Sequence, residues 1–277
     1  MPLPKLTDEI GLSWYKLSPM NILAIFAHPD DETMLAGGTL ALLAKWGADV
    51  YYVCATRGEG GEMGEPPLCS RERLGEVREQ ELRCAVKSLG GKDITFLNYY
   101  DPVVGENNQL YPYTEDMDFL VSQLCEHIRR VKPRVLITHG SNGEYGHPAH
   151  KITYLATRLC IEKLGDDSPL LYSVQAYFPE HPKPRFANQD SLAHLIIDVT
   201  NVINEKIEAA LCHQTQHALF IRHTSEELGR KVTVPETILG LESLHRIYPQ
   251  VRGVVEDDFA DFIRSTGYVK LPNFDLS

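Results

Sequence analysis

The chain has 277 residues, 43% of them hydrophobic and 23% charged, and a formal net charge of −11. That length supports one large domain with a substantial core, and the composition excludes collagen-like and low-complexity chains. The acidic balance argues against nucleic acid or an anionic membrane as partner, because the mean field repels phosphate.

No apolar run approaches the ~18 residues of a membrane helix, and the N-terminal MPLPKLTDEIGLSWYK has no signal-peptide core. Cys54, Cys69, Cys84, Cys125, Cys160 and Cys212 are scattered, with no C-x-x-C pair. Read alone, they are buried free thiols of a reduced, cytoplasmic protein with little prospect of disulfides. Self-association into a homo-oligomer stays open.

Strand and helix patterns alternate along the first 165 residues. Residues 22–27 form an apolar run suited to a strand buried on both faces. A helix over 35–46 and a strand over 49–55 follow. After a glycine-rich loop at 58–64, a charged helix runs from about 70 to 89, where Gly90 and Gly91 stop it. A short strand at 94–97, a helix at 115–131, a strand at 135–138 and a helix at 148–163 complete the series. This rhythm predicts an α/β, Rossmann-like, mostly parallel sheet with helices on both faces.

Beyond residue 165 the pattern thins to strands near 170–177 and 194–199 and an amphipathic helix at about 200–218. The polar, proline-rich stretch 179–190 suits the rim of a site, and the tail from 225 gives only short elements. We expect a single domain over 1–277, with a core over about 20–200 and a smaller C-terminal extension over about 201–277 that shapes a substrate pocket.

Ligands of open parallel sheets bind beyond the carboxyl ends of the strands. Two loops leaving such ends are dense in functional groups. Ala27-His28-Pro29-Asp30-Asp31-Glu32 follows the first strand, and His139-Gly-Ser-Asn-Gly-Glu-Tyr145-Gly-His147-Pro-Ala-His150 follows the fourth. A His and a carboxylate three residues apart in a turn can converge on one ion, and a second His from the other loop makes a two-His, one-carboxylate set. Such a set keeps positions open for water and substrate. One of the two adjacent aspartates can bind the ion while its neighbour takes a proton from the water that the ion activates.

Blander roles compete at each loop taken singly. Asp30 or Asp31 can cap the next helix, and His147 can sit before Pro148 as an N-cap with His150 on the surface. Placement of both loops at one sheet edge favours the metal site. The ligand set itself also serves non-haem iron(II) oxygenases, so Zn2+ stands beside Fe2+ or another divalent ion.

At these two loops the sequence resembles the zinc-dependent N-acetylglucosaminyl deacetylases of the LmbE/PIG-L family, over about residues 21–216. The A-H-P-D-D-E and G-H-x-x-H motifs stand intact as Ala27–Glu32 and Gly146–His150. The resemblance implies zinc on His28, Asp31 and His150, Asp30 as general base, His147 as a second catalytic group, and Tyr145 as a donor to an oxyanion. It also implies sugar contacts from Arg78 in an R-x-x-E helix and from Asp101, and it matches Thr56–Glu62, with Arg57, to a T-x-G-E-x-G loop. Without the resemblance, Arg78 and Glu81 read as a solvated helix pair worth ~0.3–0.5 kcal/mol.

His213-Gln-Thr-Gln216 is similar to an H-x-x-Q element of the family. As a lone His on an amphipathic helix, His213 is read as structural and left outside the site. His127, His139, His194, His217, His223 and His245 are read likewise, with His139, at a strand end, the one to watch.

The expected activity is metal-dependent removal of an N-acetyl group from an N-acetylglucosamine-type sugar or glycoside, a small-molecule substrate. The loop sequences lean to the mycothiol-type branch. Ala149 departs from it, because an acidic residue is usual there, and this puts second-layer support for His150 in question. Cleavage of an amide in a thiol–sugar conjugate is the nearest alternative. From other classes come an iron(II) oxygenase and a silent sugar-binding module.

Overall fold

The structure is a computed structural model and describes residues 20–266 and 269–270. The N-terminal segment read above for a signal sequence lies outside the described residues. Five parallel strands come first: β1 (Asn21–Phe26), β2 (Asp49–Thr56), β3 (Asp93–Tyr99), β4 (Val135–Thr138) and β5 (Leu170–Val174). Between them run α1 (Asp31–Lys45), α2 (Leu74–Ser88), α3 (Met117–Val131), a single turn α4 (Gly143–Gly146) and α5 (Pro148–Leu164). The parallel Rossmann-like sheet expected from the sequence is present.

β1 shows why the apolar run makes a central strand. Ile22, Ala24 and Phe26 face one core, together with α1 and α2. Leu23 and Ile25 face a second core, built with α3 and α5. All five side chains are buried, so the strand carries no polar face.

Later elements depart from expectation. The helix expected at 200–218 breaks at His213 into α6 (Ile203–Cys212) and α7 (His217–Leu228), joined by a 3-10 turn over 214–216. Short β6 (Ala176–Tyr177) and β7 (Asn188–Leu192) pair aside from the main sheet. The main sheet then gains antiparallel β8 (Leu195–Asp198), β9 (Leu241–Tyr248) and β10 (Val269–Lys270), with α8 (Asp258–Ser265) before the last. Its order is β10-β8-β9-β5-β4-β1-β2-β3.

β9 was hidden by its charges. Glu242 is buried, yet its carboxylate accepts the Gly38 and Thr39 N–H groups of α1 at 2.8 and 2.7 Å and pairs with buried Lys206 of α6 at 2.7 Å. Arg246 pairs with Asp257. Buried charges that are paired and hydrogen-bonded in this way can occupy a strand that composition alone would place in a loop. Gly38 also matters sterically: a Cβ there would stand 2.4 Å from Val199, so α1 could not lie as close to the chain leaving β8.

The cysteine reading is corrected. Cys84 of α2 is bonded to Cys212 of α6, and Cys125 of α3 to Cys160 of α5, which leaves Cys54 and Cys69 as thiols. Partners 128 and 35 residues apart carry no spacing signal; only helix packing brings their Cα atoms to 5.7 and 5.5 Å. Thiol titration of the denatured, unreduced chain is expected to count two groups, rising to all six cysteines after reduction. A count of six before reduction would remove both bridges.

Candidate metal centre

β1 and β4 are neighbours, but the chain leaves β1 toward β2 and β4 toward β5, on opposite sides. The loops after these two strands therefore diverge and open a crevice, the place where such sheets bind ligands. Their register, Ile25 beside Thr138, sets the two motifs face to face. The first motif is partly the helix itself: α1 begins at Asp31, four residues before the expected start. Asp30 turns the chain with φ 111°, and its carbonyl accepts the Thr33 and Met34 N–H groups. A non-glycine residue held there costs roughly 1–3 kcal/mol, a strain typical of functional loops.

His28, Asp31 and His150 converge. His28 Nδ1 is 3.3 Å from Asp31 Oδ2 and 3.3 Å from His150 Nε2, and His150 Nε2 is 3.2 Å from Asp31 Oδ1. Ligands of a tetrahedral zinc, each about 2.0–2.2 Å from the ion, stand about 3.3–3.6 Å apart, so the trio needs only a slight opening to hold one cation. A second cluster, His139, Glu144 and His150, is as compact. Its donors are already used on one another and on the backbone, as Ala27 N–H to His139 Nε2 and Gly140 N–H to Glu144 show. Of the two clusters, only the first has all three members lining the cavity described below.

The charges explain how the cluster rests. Burial alone would push both imidazoles down, but Asp101 and Asp31 raise His28 to about 10, and Asp31 and Glu144 raise His150 to about 9. Burial opposes ionisation of Asp31, yet the neighbouring His150 holds it well below the usual carboxylate range. A cation entering here replaces protons, so its affinity must fall as pH falls.

Asp30 stands beside the trio in a different environment. Burial, opposed by Arg78 and aided by Asp31, raises its carboxyl to about 6. Arg78 is itself buried and donates to the Pro29 carbonyl at 2.5 Å, the Gly58 carbonyl at 2.9 Å and Asp30 Oδ2 at 3.3 Å. Asp30 N–H donates to Glu32, whose other oxygen is 3.0 Å from His213 Nε2. His213, read from sequence as lying outside, is thus one contact from the Asp30 loop. Glu81 accepts the Thr215 N–H and hydroxyl. Neither member of the Arg78–Glu81 pair is solvated.

His147 is an N-cap after all: its Nδ1 accepts the Ala149 N–H at 3.2 Å. That contact fixes the tautomer of the ring. With Nδ1 committed as acceptor, the neutral ring carries its proton on Nε2. Burial and the charges of His28 and His150 push its pKa down to about 2, so the ring stays neutral. The Tyr145 ring is edge-on to His147, with centroids 5.6 Å apart, and is half exposed at the cavity mouth.

A family model described as "PIG-L: GlcNAc-PI de-N-acetylase" matches residues 23–161, half of the chain, which includes both motifs. The chain belongs to the PIG-L family. A relative from Rhodococcus erythropolis, named 1D-myo-inositol 2-acetamido-2-deoxy-alpha-D-glucopyranoside deacetylase, is 31% identical over 81% of this chain and 90% of its own length. A protein of similar name, numbered 3, from Catenulispora acidiphila is 38% identical over 54% of this chain. There the match spans 45% of the relative, so the chain covers under half of that protein.

Among solved structures, N,N'-diacetylchitobiose deacetylase from Pyrococcus horikoshii aligns with TM-score 0.57 and 20% identity, over 82% of this chain and 84% of that one. GalB, a 4-carboxy-2-hydroxymuconate hydratase from Pseudomonas putida KT2440, aligns equally well, with TM-score 0.57, 20% identity and coverage of 86% and 100%. The PIG-L fold is thus shared with a protein named for other chemistry, and function has to be argued from the site.

Next to the PIG-L trio lies a cavity of about 750 Å3, lined by His28, Asp30, Asp31, Asp101, His147 and His150 at one end. Asp101 Oδ1 is 3.3 Å from His28 Nε2, so the expected sugar carboxylate also backs a ligand. Arg57 is corrected: it does not line the cavity, and its guanidinium lies 3.4 Å from Glu59 and 3.8 Å from Glu79. Arg71, which donates to the Glu59 and Gly61 carbonyls, lines it instead.

The sequence placed a rim at 179–190 and gave pocket shaping to the C-terminal extension, but named no lining residue in either. Lys183, Arg185 and Phe186 come from the proline-rich loop, and Leu219, Phe220 and His223 from α7. The loop was marked as a rim by its composition; α7 carried no signal.

Proposed function

We propose that the chain is a divalent-metal, zinc-type hydrolase that removes the N-acetyl group from an N-acetylglucosamine-type sugar. The observation that carries this reading is the spacing of His28, Asp31 and His150 at 3.2–3.3 Å, with a separately tuned carboxylate, Asp30, in the same cavity. When bound, the ion would lower the pKa of water and polarise the acetamide carbonyl. An Asp30 carboxyl near pH 6 is ionised at neutral pH and can accept a proton from water, then return it to the leaving amine. His147, neutral with its proton on Nε2, suits hydrogen-bond donation to the oxyanion rather than proton delivery. Tyr145 is the second donor.

Asp101 is proposed to contact sugar hydroxyls, and Arg78 to act mainly by holding Asp30. The segment after residue 201 shapes the pocket through Gln216 and the α7 side chains. Because the cavity extends well past the metal end along Val103, Val104 and Phe220, a bulky conjugate such as a mycothiol-type thiol–sugar amide is the second reading.

The test is release of free amine from a panel of N-acetyl sugars and conjugates, with and without a chelator. We expect release that stops with the chelator and returns with Zn2+, without oxygen uptake. Oxygen consumption with Fe2+, or sugar binding without amine release, would overturn the hydrolase. The proposed compartment is the cytoplasm. Two disulfides are unusual there, and trapping thiols in intact cells tests the placement. Among the described residues, no helix is long and apolar enough to cross a membrane.

A further inference from the structure

Ala149 left open what supports His150, and the structure answers from within the same loop. The chain of contacts starts at a backbone group that has to be paired. Ala27 N–H, buried at the end of β1, donates to His139 Nε2 at 3.0 Å. The neutral His139 ring therefore carries its proton on Nδ1, which lies 3.0 Å from Glu144 Oε2. The same oxygen is 2.7 Å from His150 Nδ1. The other oxygen of Glu144 accepts the Gly140 N–H at 2.8 Å and lies 3.4 Å from Asn188 Nδ2.

We propose that Glu144 is the positioning residue that prepares His150 as a metal ligand, fixing its proton on Nδ1 and its Nε2 lone pair toward His28 and Asp31. All of the neighbours above offer protons to this carboxylate, so it accepts from both imidazoles. His139 and His150 stack with ring centroids 4.0 Å apart, which leaves His150 little freedom to turn.

The backbone was shaped for this. Glu144 has φ 60° and ψ −67°, a conformation that costs a non-glycine residue on the order of 1–3 kcal/mol, and its side chain is buried. Gly140 is required beneath it, since a Cβ there would stand 2.0 Å from the Asn188 amide. With Asp101 at His28 Nε2, each imidazole of the trio then has a carboxylate behind it, an arrangement that orients metal-binding histidines and raises their basicity.

This inference rests on the metal reading above, and Zn2+ alone is the probe that separates the two. Zn2+ affinity of the full chain is measured by competition with a chromophoric chelator for wild type, Glu144→Gln and Glu144→Asp. The ring nitrogens of His150 are followed by 15N NMR in the Zn2+-loaded chain, where Nε2 is free of its proton if it holds the ion. We expect Glu144→Gln to weaken Zn2+ binding about 10–100-fold while the far-ultraviolet dichroism is unchanged. Glu144→Asp should restore part of the loss, and wild-type His150 should be protonated on Nδ1. Wild-type affinity in a folded Glu144→Gln, or a wild-type His150 protonated on Nε2, would overturn the role of Glu144 alone. Failure of wild type to bind Zn2+ would overturn the metal reading and this inference together.

Discussion

Asp30→Asn is expected to lower kcat by about 10²–10⁴-fold while Zn2+ content stays at the wild-type level. The amide keeps the shape of the carboxyl and cannot accept the proton. Asp30 is not one of the three converging ligands, so the ion has no reason to leave. The pH profile gives an independent reading. Burial and Asp31 raise Asp30, Arg78 opposes them, and the group sits at about 6. The base is the ionised form. Wild-type kcat/KM should therefore fall tenfold per unit below about pH 6 and level off above it. The residual activity of Asp30→Asn should lack that limb. Full activity in the variant would remove Asp30 from the mechanism.

Asp31→Ala, one residue later, should behave in the opposite way: Zn2+ is lost, and amine release falls to the background without enzyme. Asp31 supplies the carboxylate that His28 and His150 both face, His28 at Oδ2 and His150 at Oδ1. A wild-type chain that binds the ion only when folded should gain thermal stability on adding Zn2+, about 2.7 kcal/mol at a hundredfold excess over Kd. The Asp31→Ala chain should show no such rise. Calorimetry with and without Zn2+ makes the comparison. A variant that keeps its zinc would place the ion elsewhere, with the His139, Glu144 and His150 cluster the next candidate.

The parallel half of the fold and the convergence of His28, Asp31 and His150 were legible because each rests on local signals. β1 is an unbroken apolar run, and both motifs sit directly after strands whose ends must meet at one sheet edge. The antiparallel half was illegible for a physical reason. β9 carries Glu242 and Arg246 into the interior, and only partners from α1, α6 and Asp257, remote in sequence, make those charges tolerable. His213, read as structural, is buried against Glu32, a partner 181 residues away that sequence could not name. Glu144 lay inside a motif already singled out, but its inward turn depends on a backbone conformation that composition does not announce. Arg57 and Arg71 show the converse: the guanidinium expected at the sugar lies against Glu59 and Glu79, while another 14 positions on lines the cavity.

The place of β9 has a consequence for how the chain is made. It pairs with β5 on one side and β8 on the other, yet it is synthesised after both. Until residues 241–248 leave the ribosome, β5 and β8 each present an open edge of unpaired N–H and C=O groups. The five-stranded parallel unit can assemble early, but the emerging polypeptide stays open to edge-to-edge association until this late strand slots between its elders. Translation speed through the codons for residues 241–248 and those that follow is thus a natural control point for the yield of active protein.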